Sequence, residues 1–169
     1  MEIVKLYRCA DHVYVGHFGR PAGTLPMTEI EQARLVAGKG LEGDRYFSGA
    51  PGHPGQITFF AEEIWLRLCD ALKRRDRDPG VFRRNVIVRG ADLGALIGKD
   101  FECQGIRFRG SEYCKPCFWM DEAFAPGALK ALSAWRGGGL RAQILSDGVL
   151  RTEKEGSGAG MRRDEPCTA

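Results

Sequence analysis

Glycine and proline interrupt this sequence at short intervals, which limits the secondary structure that it can form. The 169 residues include 23 glycines and 8 prolines. Between these interruptions, apolar and polar residues alternate with a period of two, a pattern typical of half-buried strands. The pattern predicts strands at residues 2–9, 13–15, 32–36, 56–60 and 82–89. It also predicts two hairpins, at residues 101–112 through Gln104-Gly105 and at residues 140–151 through Asp147-Gly148.

Three segments have helical rather than strand-like spacing. Residues 61–75 place four apolar side chains on one stripe, namely Ile64, Trp65, Leu68 and Leu72. Residues 127–135 predict a shorter helix that ends at the glycines 137–139, and residues 92–95 predict a single turn. Many short strands with few helices favour a barrel over alternating strand–helix units. We therefore expect a mainly β fold, a closed β-barrel with a few peripheral helices.

Size and charge limit the number of domains and the kinds of partner. We expect one domain over residues 1–152 and a disordered tail over residues 153–169, where glycine, serine and charged residues replace apolar periodicity. The net charge of +3 is too small to indicate a nucleic-acid partner. No apolar run approaches the roughly 18 residues of a membrane span. Because the N-terminus resembles no signal peptide, we expect a cytoplasmic protein with reduced thiols.

The Cys114-Lys115-Pro116-Cys117 motif follows a predicted strand and the acidic Glu112. The thiolate is the form of cysteine that acts as nucleophile or metal ligand, and Lys115 would favour it. A structural zinc site usually needs a second such pair, and a thioredoxin-like dithiol needs a strand–helix–strand context. The sequence offers neither of these contexts, although it does not exclude a thiol–disulfide role. A third interpretation is that one thiolate binds a softer metal centre while the other cysteine assists.

A basic segment, Arg83-Arg84-Asn85, begins the predicted strand at residues 82–89. In a strand, Arg83 and Asn85 would share one face while Arg84 would lie on the other. The guanidinium fork of arginine matches phosphate oxygens, and the amide could add a hydrogen bond. A solvated arginine pair at a strand edge explains the segment equally well.

Two glycine-rich turns add weaker signals. Gly38, Gly40 and Gly43 would let the backbone turn its N–H groups toward an anion, while Asp44 would act as an ion-pair partner or brace within the turn. Glycines 137–139 precede Arg141 in the same way, although they also suit the end of a helix.

Six segments, in order along the chain, resemble the MOSC domain, the module named for the C-terminal part of molybdenum-cofactor sulfurase. They are residues 36–45, 56–60, 83–88, 92–99, 112–117 and 138–142. The resemblance implies a barrel of the pyruvate-kinase type that binds the molybdenum cofactor, a molybdopterin. It implies Cys117 as the molybdenum ligand and Arg83 and Asn85 as residues that face the pterin. We add Arg84, Gly43, Asp44 and Arg141 as expected cofactor-binding residues, and Glu112 and Cys114 beside Cys117 as expected catalytic residues.

The same resemblance implies an oxidoreductase that reduces N-hydroxylated compounds. An alternative is a carrier, without turnover of its own, that holds the cofactor or a persulfide sulfur for other molybdoenzymes. The partners expected are a small-molecule substrate and either an electron-donor protein or a cysteine desulfurase, with neither nucleic acid nor membrane. Larger relatives join the domain to a pyridoxal-phosphate-dependent sulfurase part or to an N-terminal β-barrel domain, and we expect neither part in this chain.

Overall fold

A computed structural model describes residues 1–11, 27–50 and 52–153 of the chain. Its ten strands are β1 (Glu2–Arg8), β2 (Thr28–Ile30), β3 (Gln32–Val36), β4 (Gly40–Leu41), β5 (Ile57–Ala61), β6 (Val86–Arg89), β7 (Asp100–Cys103), β8 (Ile106–Tyr113), β9 (Leu140–Ile144) and β10 (Gly148–Arg151). Its α-helices are α1 (Glu62–Leu72), α2 (Trp119–Ala123) and α3 (Ala128–Ala134), and short 3-10 helices span Pro79–Phe82 and Gly94–Leu96.

The strands form two sheets. The larger has seven strands in the order β2-β1-β6-β5-β9-β8-β7, and the smaller has three in the order β10-β3-β4. All neighbouring strands are antiparallel except β5 and β6, which run parallel and are connected through α1. The parallel pair requires a crossover connection, and the helix supplies it.

Each face of the large sheet covers its own apolar cluster. Phe59 of β5 points into the first cluster, which also contains Leu35 and Leu150 of the small sheet. The next residue, Phe60, points to the opposite face and joins a second cluster under α1, α2 and α3. This alternation follows from the two-residue period of a strand. The large sheet is therefore the middle layer between the small sheet and the helices.

The expected closed barrel is wrong, although the mainly β content with few helices is as predicted. Within the described residues, β2 and β7 are the two edges of the large sheet and they do not pair with each other. The chain bends at Glu31, so that β3 leaves the large sheet directly after β2 and pairs with β10 instead. The hydrogen-bond ladder is interrupted at this bend, and two open sheets form where a barrel would need one continuous ladder.

Two local predictions also differ from the structure. The strand predicted at residues 82–89 starts only at Val86, because the chain before it forms the 3-10 helix and reverses at Arg83. The hairpin predicted at residues 140–151 does not form, since β9 pairs with β5 and β8 while β10 pairs with β3. The strand predicted at residues 13–15 and nearly all of the predicted tail lie outside the described residues. No helix in the described ranges is both long enough and apolar enough to cross a membrane.

Candidate functional site

A row of polar side chains runs from β8 across β9 and β5 of the large sheet to the segment before β6 and the turn after β4. Thr58 of β5 lies opposite Arg141 of β9, which in turn lies opposite Glu112 of β8. Asn85 hydrogen-bonds Thr58, and Asp44 hydrogen-bonds Asn85. We call these five residues the polar row. Four of the five are sequence-predicted site residues from distant parts of the chain.

Asn85 is the centre of the polar row and is 7% exposed. Its Oδ1 accepts hydrogen bonds from the backbone N–H and the hydroxyl of Thr58, over 3.1 and 2.8 Å. Its Nδ2 donates to Asp44 Oδ2 over 3.2 Å and to the Tyr7 carbonyl over 3.3 Å. These four bonds use the full capacity of the amide. Asn85 therefore positions neighbouring segments rather than offering a free group to a ligand.

Asp44 holds the turn that follows β4 against the end of β1. Its carboxylate accepts from the backbone N–H of Cys9 over 3.1 Å, from that of Tyr46 over 3.1 Å and from Asn85. The side chain is 8% exposed, and three donors offset the cost of burying its charge. The turn-brace interpretation of Asp44 agrees with this geometry.

Arginine side chains surround the end of β1. Gly43 has φ +76°, and a Cβ atom there would lie 2.9 Å from Arg8 Nη1, so glycine lets this guanidinium approach the turn. Arg45 donates its backbone N–H to the Cys9 carbonyl over 2.8 Å, while its side-chain Nη1 is buried without a hydrogen-bond partner in the described structure. Arg83 Nη2 lies 3.9 Å from Cys9 Sγ. Arg8 carried no signal in the sequence, because a single arginine at a strand end is ordinary.

The side chains of Arg83 and Arg84 contact different parts of the protein, and the alternation of side chains along a strand does not explain this difference. Arg83 has φ +60° and caps the 3-10 helix in the left-handed conformation, which turns the chain sharply. Arg84 then donates to the Gly138 carbonyl over 3.0 Å and to the Phe82 carbonyl over 2.8 Å. The Arg84 guanidinium thus stabilises the fold, whereas the contact of the Arg83 guanidinium with the described residues is a weak one, with the Cys9 thiol.

The outer end of the polar row is more open to solvent. Arg141 Nη1 lies 3.6 Å from Glu112 Oε1, and the two side chains are 44% and 48% exposed. An ion pair this exposed contributes little to stability, so Arg141 can exchange it for an anionic ligand at small cost. Glu112 lies at an irregularity of β8, where the pairing register with β9 shifts between Gly110 and Glu112.

The two cysteines of the motif have opposite environments. Cys114 is buried, and its N–H donates to the Gly139 carbonyl over 3.0 Å. Cys117 is exposed and stands just before α2, where its carbonyl accepts from Met120 N over 2.9 Å. Four of the five cysteines in the described residues are buried, which leaves Cys117 as the thiol there that solvent can reach.

Two contacts tie the Cys117 segment to the arginine segment. Trp119 Nε1 donates to the Val81 carbonyl over 2.9 Å, which fixes the start of α2 on the 3-10 helix before Arg83. Gly138, which accepts from Arg84, packs so closely on the motif that a Cβ atom there would lie 2.9 Å from Pro116 Cδ. The structure therefore brings the cysteine motif, the arginines and the polar row into one connected region.

No group of three or more His, Cys, Asp or Glu side chains in the described ranges could hold a metal ion by itself. A cavity of about 740 Å³ elsewhere on the large sheet contains none of the sequence-predicted site residues in its lining. We place the candidate site at the polar row and the segments linked to it, because Arg84 is the neighbour of Asn85 and contacts Gly138, which packs on the cysteine motif.

Sequence comparison agrees with the motifs. The family model of the MOSC domain matches residues 47–156, more than half of the chain. The chain belongs to the MOSC domain family. The matched range includes Arg83, Asn85, Glu112, Cys117 and Arg141, whereas the turn that holds Asp44 precedes it. This family is associated with the molybdenum cofactor.

Solved structures with this MOSC fold come from several bacteria. The YuaD protein from Bacillus subtilis is 17% identical with a TM-score of 0.68, over 89% of this chain and 91% of that one. YiiM from Geobacillus stearothermophilus is 15% identical with a TM-score of 0.64, over 89% and 70% of the two chains. YiiM from Escherichia coli is 15% identical with a TM-score of 0.61, over 89% and 66%. Identities this low show a common fold alone. No curated protein matches the sequence.

Proposed function

We propose that this MOSC domain binds the molybdenum cofactor at the polar row, with Cys117 as the protein ligand of the metal, and that it reduces N-hydroxylated compounds. The observation that carries the proposal is the exposure of Cys117 on a segment tied to Arg83 and Arg84. An exposed thiol on a segment linked to two arginines suits a ligand that has both a soft metal and negative charge.

The residues of the site fit such a ligand in three respects. A metal that arrives bound to an organic cofactor needs few ligands from the protein, so one thiolate is a sufficient donor. Arg45 Nη1 is buried without a partner in the described structure, and an anionic group on the cofactor would satisfy it. The ion pair of Arg141 with Glu112 is exposed and weak, so the Arg141 guanidinium could bind a second anionic oxygen of the cofactor instead.

When bound, the cofactor would supply a metal centre that accepts the oxygen atom of the substrate's N–O bond. Cys117 would hold that centre, and Arg45 and Arg141 would orient the anionic part. Asn85 and Asp44 would act as positioning residues, since their polar groups are used within the protein.

Reduction of each N–O bond consumes two electrons and two protons and releases water. We assign proton transfer to Glu112, whose carboxylate lies on the sheet surface in contact with solvent and with Arg141. An electron-donor protein must supply the electrons, and this partner is part of the proposal.

Metal analysis of matched cysteine variants tests the assignment. The chain is produced in molybdate-supplied cells, and molybdenum per protein is measured by mass spectrometry for wild type, Cys117→Ser and Cys114→Ala. We expect Cys117→Ser to lose the metal and Cys114→Ala to retain it, because Cys117 is exposed and Cys114 is buried. Equal molybdenum in wild type and Cys117→Ser would contradict the proposed ligand.

Sulfur labelling and substrate turnover together distinguish the alternative role, a carrier, from a reductase. A carrier of persulfide sulfur would take up labelled sulfur on Cys117 from a cysteine desulfurase, and it would not reduce N-hydroxylated compounds when given an electron donor. Labelling without turnover would therefore favour the carrier over the reductase. Full activity of Cys114→Ala would exclude a disulfide between the two cysteines as a required step.

A further inference from the structure

The cavity of about 740 Å³ lies between the start of α1, the loop around Asp92 and the segment that follows α3. Its walls are largely apolar and include Ile64, Leu93, Ile97 and Trp135. A volume of this size, with apolar walls and few polar groups, is typical of sites for small organic molecules. None of the residues proposed above to bind the cofactor lines it, so the cavity needs an explanation of its own.

Two carboxylates of the cavity are held by the backbone through one oxygen each. Glu63 Oε1 accepts from Gly90 N over 2.6 Å. Asp92 Oδ1 accepts from Gly94 N over 3.0 Å and from Ala95 N over 3.2 Å. Glu63 is thus bonded to the loop that contains Asp92, and both carboxylates line the cavity. Their second oxygens, Oε2 and Oδ2, accept no hydrogen bond from the described residues.

A third charged side chain, Arg136, also lines the cavity. Its guanidinium carbon lies 5.4 Å from the centre of the Tyr113 ring, so the aromatic face already stabilises this cation. Two carboxylates against one guanidinium give the cavity a net negative charge. A ligand complementary to this cavity would combine an apolar body with a positive charge.

We infer that the cavity is a binding site for an organic cation with an apolar body, in the simplest case an aromatic amine. The ammonium group donates to the second oxygens of Glu63 and Asp92, where charge-assisted hydrogen bonds are strong. The aromatic body displaces water from Ile64, Ile97 and Trp135. The cavity lining includes none of the five residues of the polar row.

Three probes of equal shape and different charge test the ligand class. Calorimetric titration at low salt compares 2-naphthylmethylamine, which is cationic at neutral pH, with neutral 2-naphthalenemethanol and anionic 2-naphthoate. We expect the amine to bind about five times more tightly than the alcohol, and the carboxylate to bind most weakly. Equal affinities for the amine and the carboxylate, or no measurable binding of the amine at millimolar concentration, would overturn the inference.

Charge-removing variants test the contacts without removing the backbone hydrogen bonds. Glu63→Gln and Asp92→Asn keep an oxygen for the N–H groups that the carboxylates hold. We expect each to weaken amine binding by a factor of about five, the effect of one screened charge at 4 Å, and to leave the alcohol unchanged. Arg136→Gln should strengthen amine binding, because it removes a like charge. Unchanged amine affinity in both carboxylate variants would refute the site.

A cavity-filling variant locates the binding. Ala95 is exposed and lines the cavity, whereas Ala71 is also exposed, on α1, and does not line it. Ala95→Trp should abolish amine binding while Ala71→Trp leaves it intact, and circular dichroism shows that both variants are folded. Retained binding in folded Ala95→Trp would place the amine elsewhere. The charge-removing variants decide the case if Ala95→Trp does not fold.

Discussion

Asn85 donates from its side-chain amide to the Asp44 carboxylate over 3.2 Å, and this bond joins the start of β6 to the turn after β4. The same amide group also bonds Thr58 of β5 and the Tyr7 carbonyl of β1. One side chain thus fixes three strands and a turn at the edge of the candidate site. Because all of these groups are buried or half-buried, they have no water to replace a lost partner.

Replacing Asn85 with alanine should therefore destabilise the protein strongly. We expect Asn85→Ala to lower the free energy of unfolding by about 3 kcal/mol, since it leaves a carboxylate, a hydroxyl and a carbonyl without their partner. Thr58→Val is the matched control, because it removes the hydroxyl, which donates to Asn85 Oδ1 and accepts from Asn85 N, but leaves the bonds of the Asn85 side chain to Asp44 and Tyr7, at a cost of about 1 to 2 kcal/mol. Urea denaturation measures both. Equal losses in the two variants would show that Asn85 is not the centre of the network.

Asp78 should make the free energy of unfolding depend on pH. Burial tends to raise the pKa of its carboxyl group, but hydrogen bonds from Tyr7 and Lys5 outweigh burial and hold that pKa below its ordinary value. The bonds are 2.5 Å from the Tyr7 hydroxyl and 2.9 Å from Lys5 Nζ. A carboxyl with a lowered folded-state pKa stabilises the fold above its unfolded-state pKa and loses that contribution as the pH falls through the folded value.

We therefore expect the free energy of unfolding to fall as the pH drops below about 4, and to fall less in Asp78→Asn. The asparagine can still accept from Gly80 N, which caps the 3-10 helix before Arg83, so the comparison isolates the charge. Urea denaturation at neutral and acidic pH gives the difference. The same acid dependence in wild type and variant would remove Asp78 as its source.

The sequence allowed local elements to be predicted because their signals are local. Strand β3 was predicted with its observed bounds, and β1 and α1 with ends within three residues, because alternation and helical spacing act over neighbouring residues. The prediction of a closed barrel was wrong because closure depends on which distant strands pair at the edges of the sheet. The pairing of β3 with β10 joins residues more than a hundred positions apart, and no periodicity encodes it.

The sequence motifs named residues that the structure links to one another, but not the hydrogen bonds that link them. Sequence motifs pointed to Asn85 and Asp44 as ligand-facing, whereas their hydrogen bonds come from segments that no local pattern connects. Arg83 was placed in a strand, although it takes a left-handed conformation that is rare for a residue other than glycine. The buried Cys114 is packed by Gly138, which lies more than twenty residues later, whereas Cys117 is exposed, and no local pattern encodes this difference.

Gly138 should tolerate no side chain. A Cβ atom there would overlap the Cys114 carbonyl oxygen and lie 2.9 Å from Pro116 Cδ, and neither group is the end of a flexible side chain. We expect Gly138→Ala to lower the free energy of unfolding by about 3 kcal/mol through overpacking. Gly49→Ala is the control, because the nearest atom to its Cβ would be a carbonyl oxygen at 3.4 Å. Thermal or urea denaturation that finds the two variants equally stable would contradict this close packing.

The cysteines should differ in their rate of alkylation. Burial raises the pKa of the Cys69 and Cys103 thiols and disfavours the reactive thiolate, whereas Cys117 is exposed before α2. We expect iodoacetamide to modify Cys117 roughly tenfold faster, or more, than any buried cysteine of the native protein. The experiment uses a Cys167→Ser background, since Cys167 lies outside the described residues.

Peptide mapping by mass spectrometry follows each thiol over time, and urea provides the reference in which all of them are accessible. The ratio of native to unfolded rates removes intrinsic differences between the thiols. Cys114 is the decisive comparison, because it belongs to the same motif but is 3% exposed. If Cys114 reacts as fast as Cys117 in the native protein, solvent reaches both thiols of the motif. The difference in exposure would then no longer support Cys117 alone as the metal ligand.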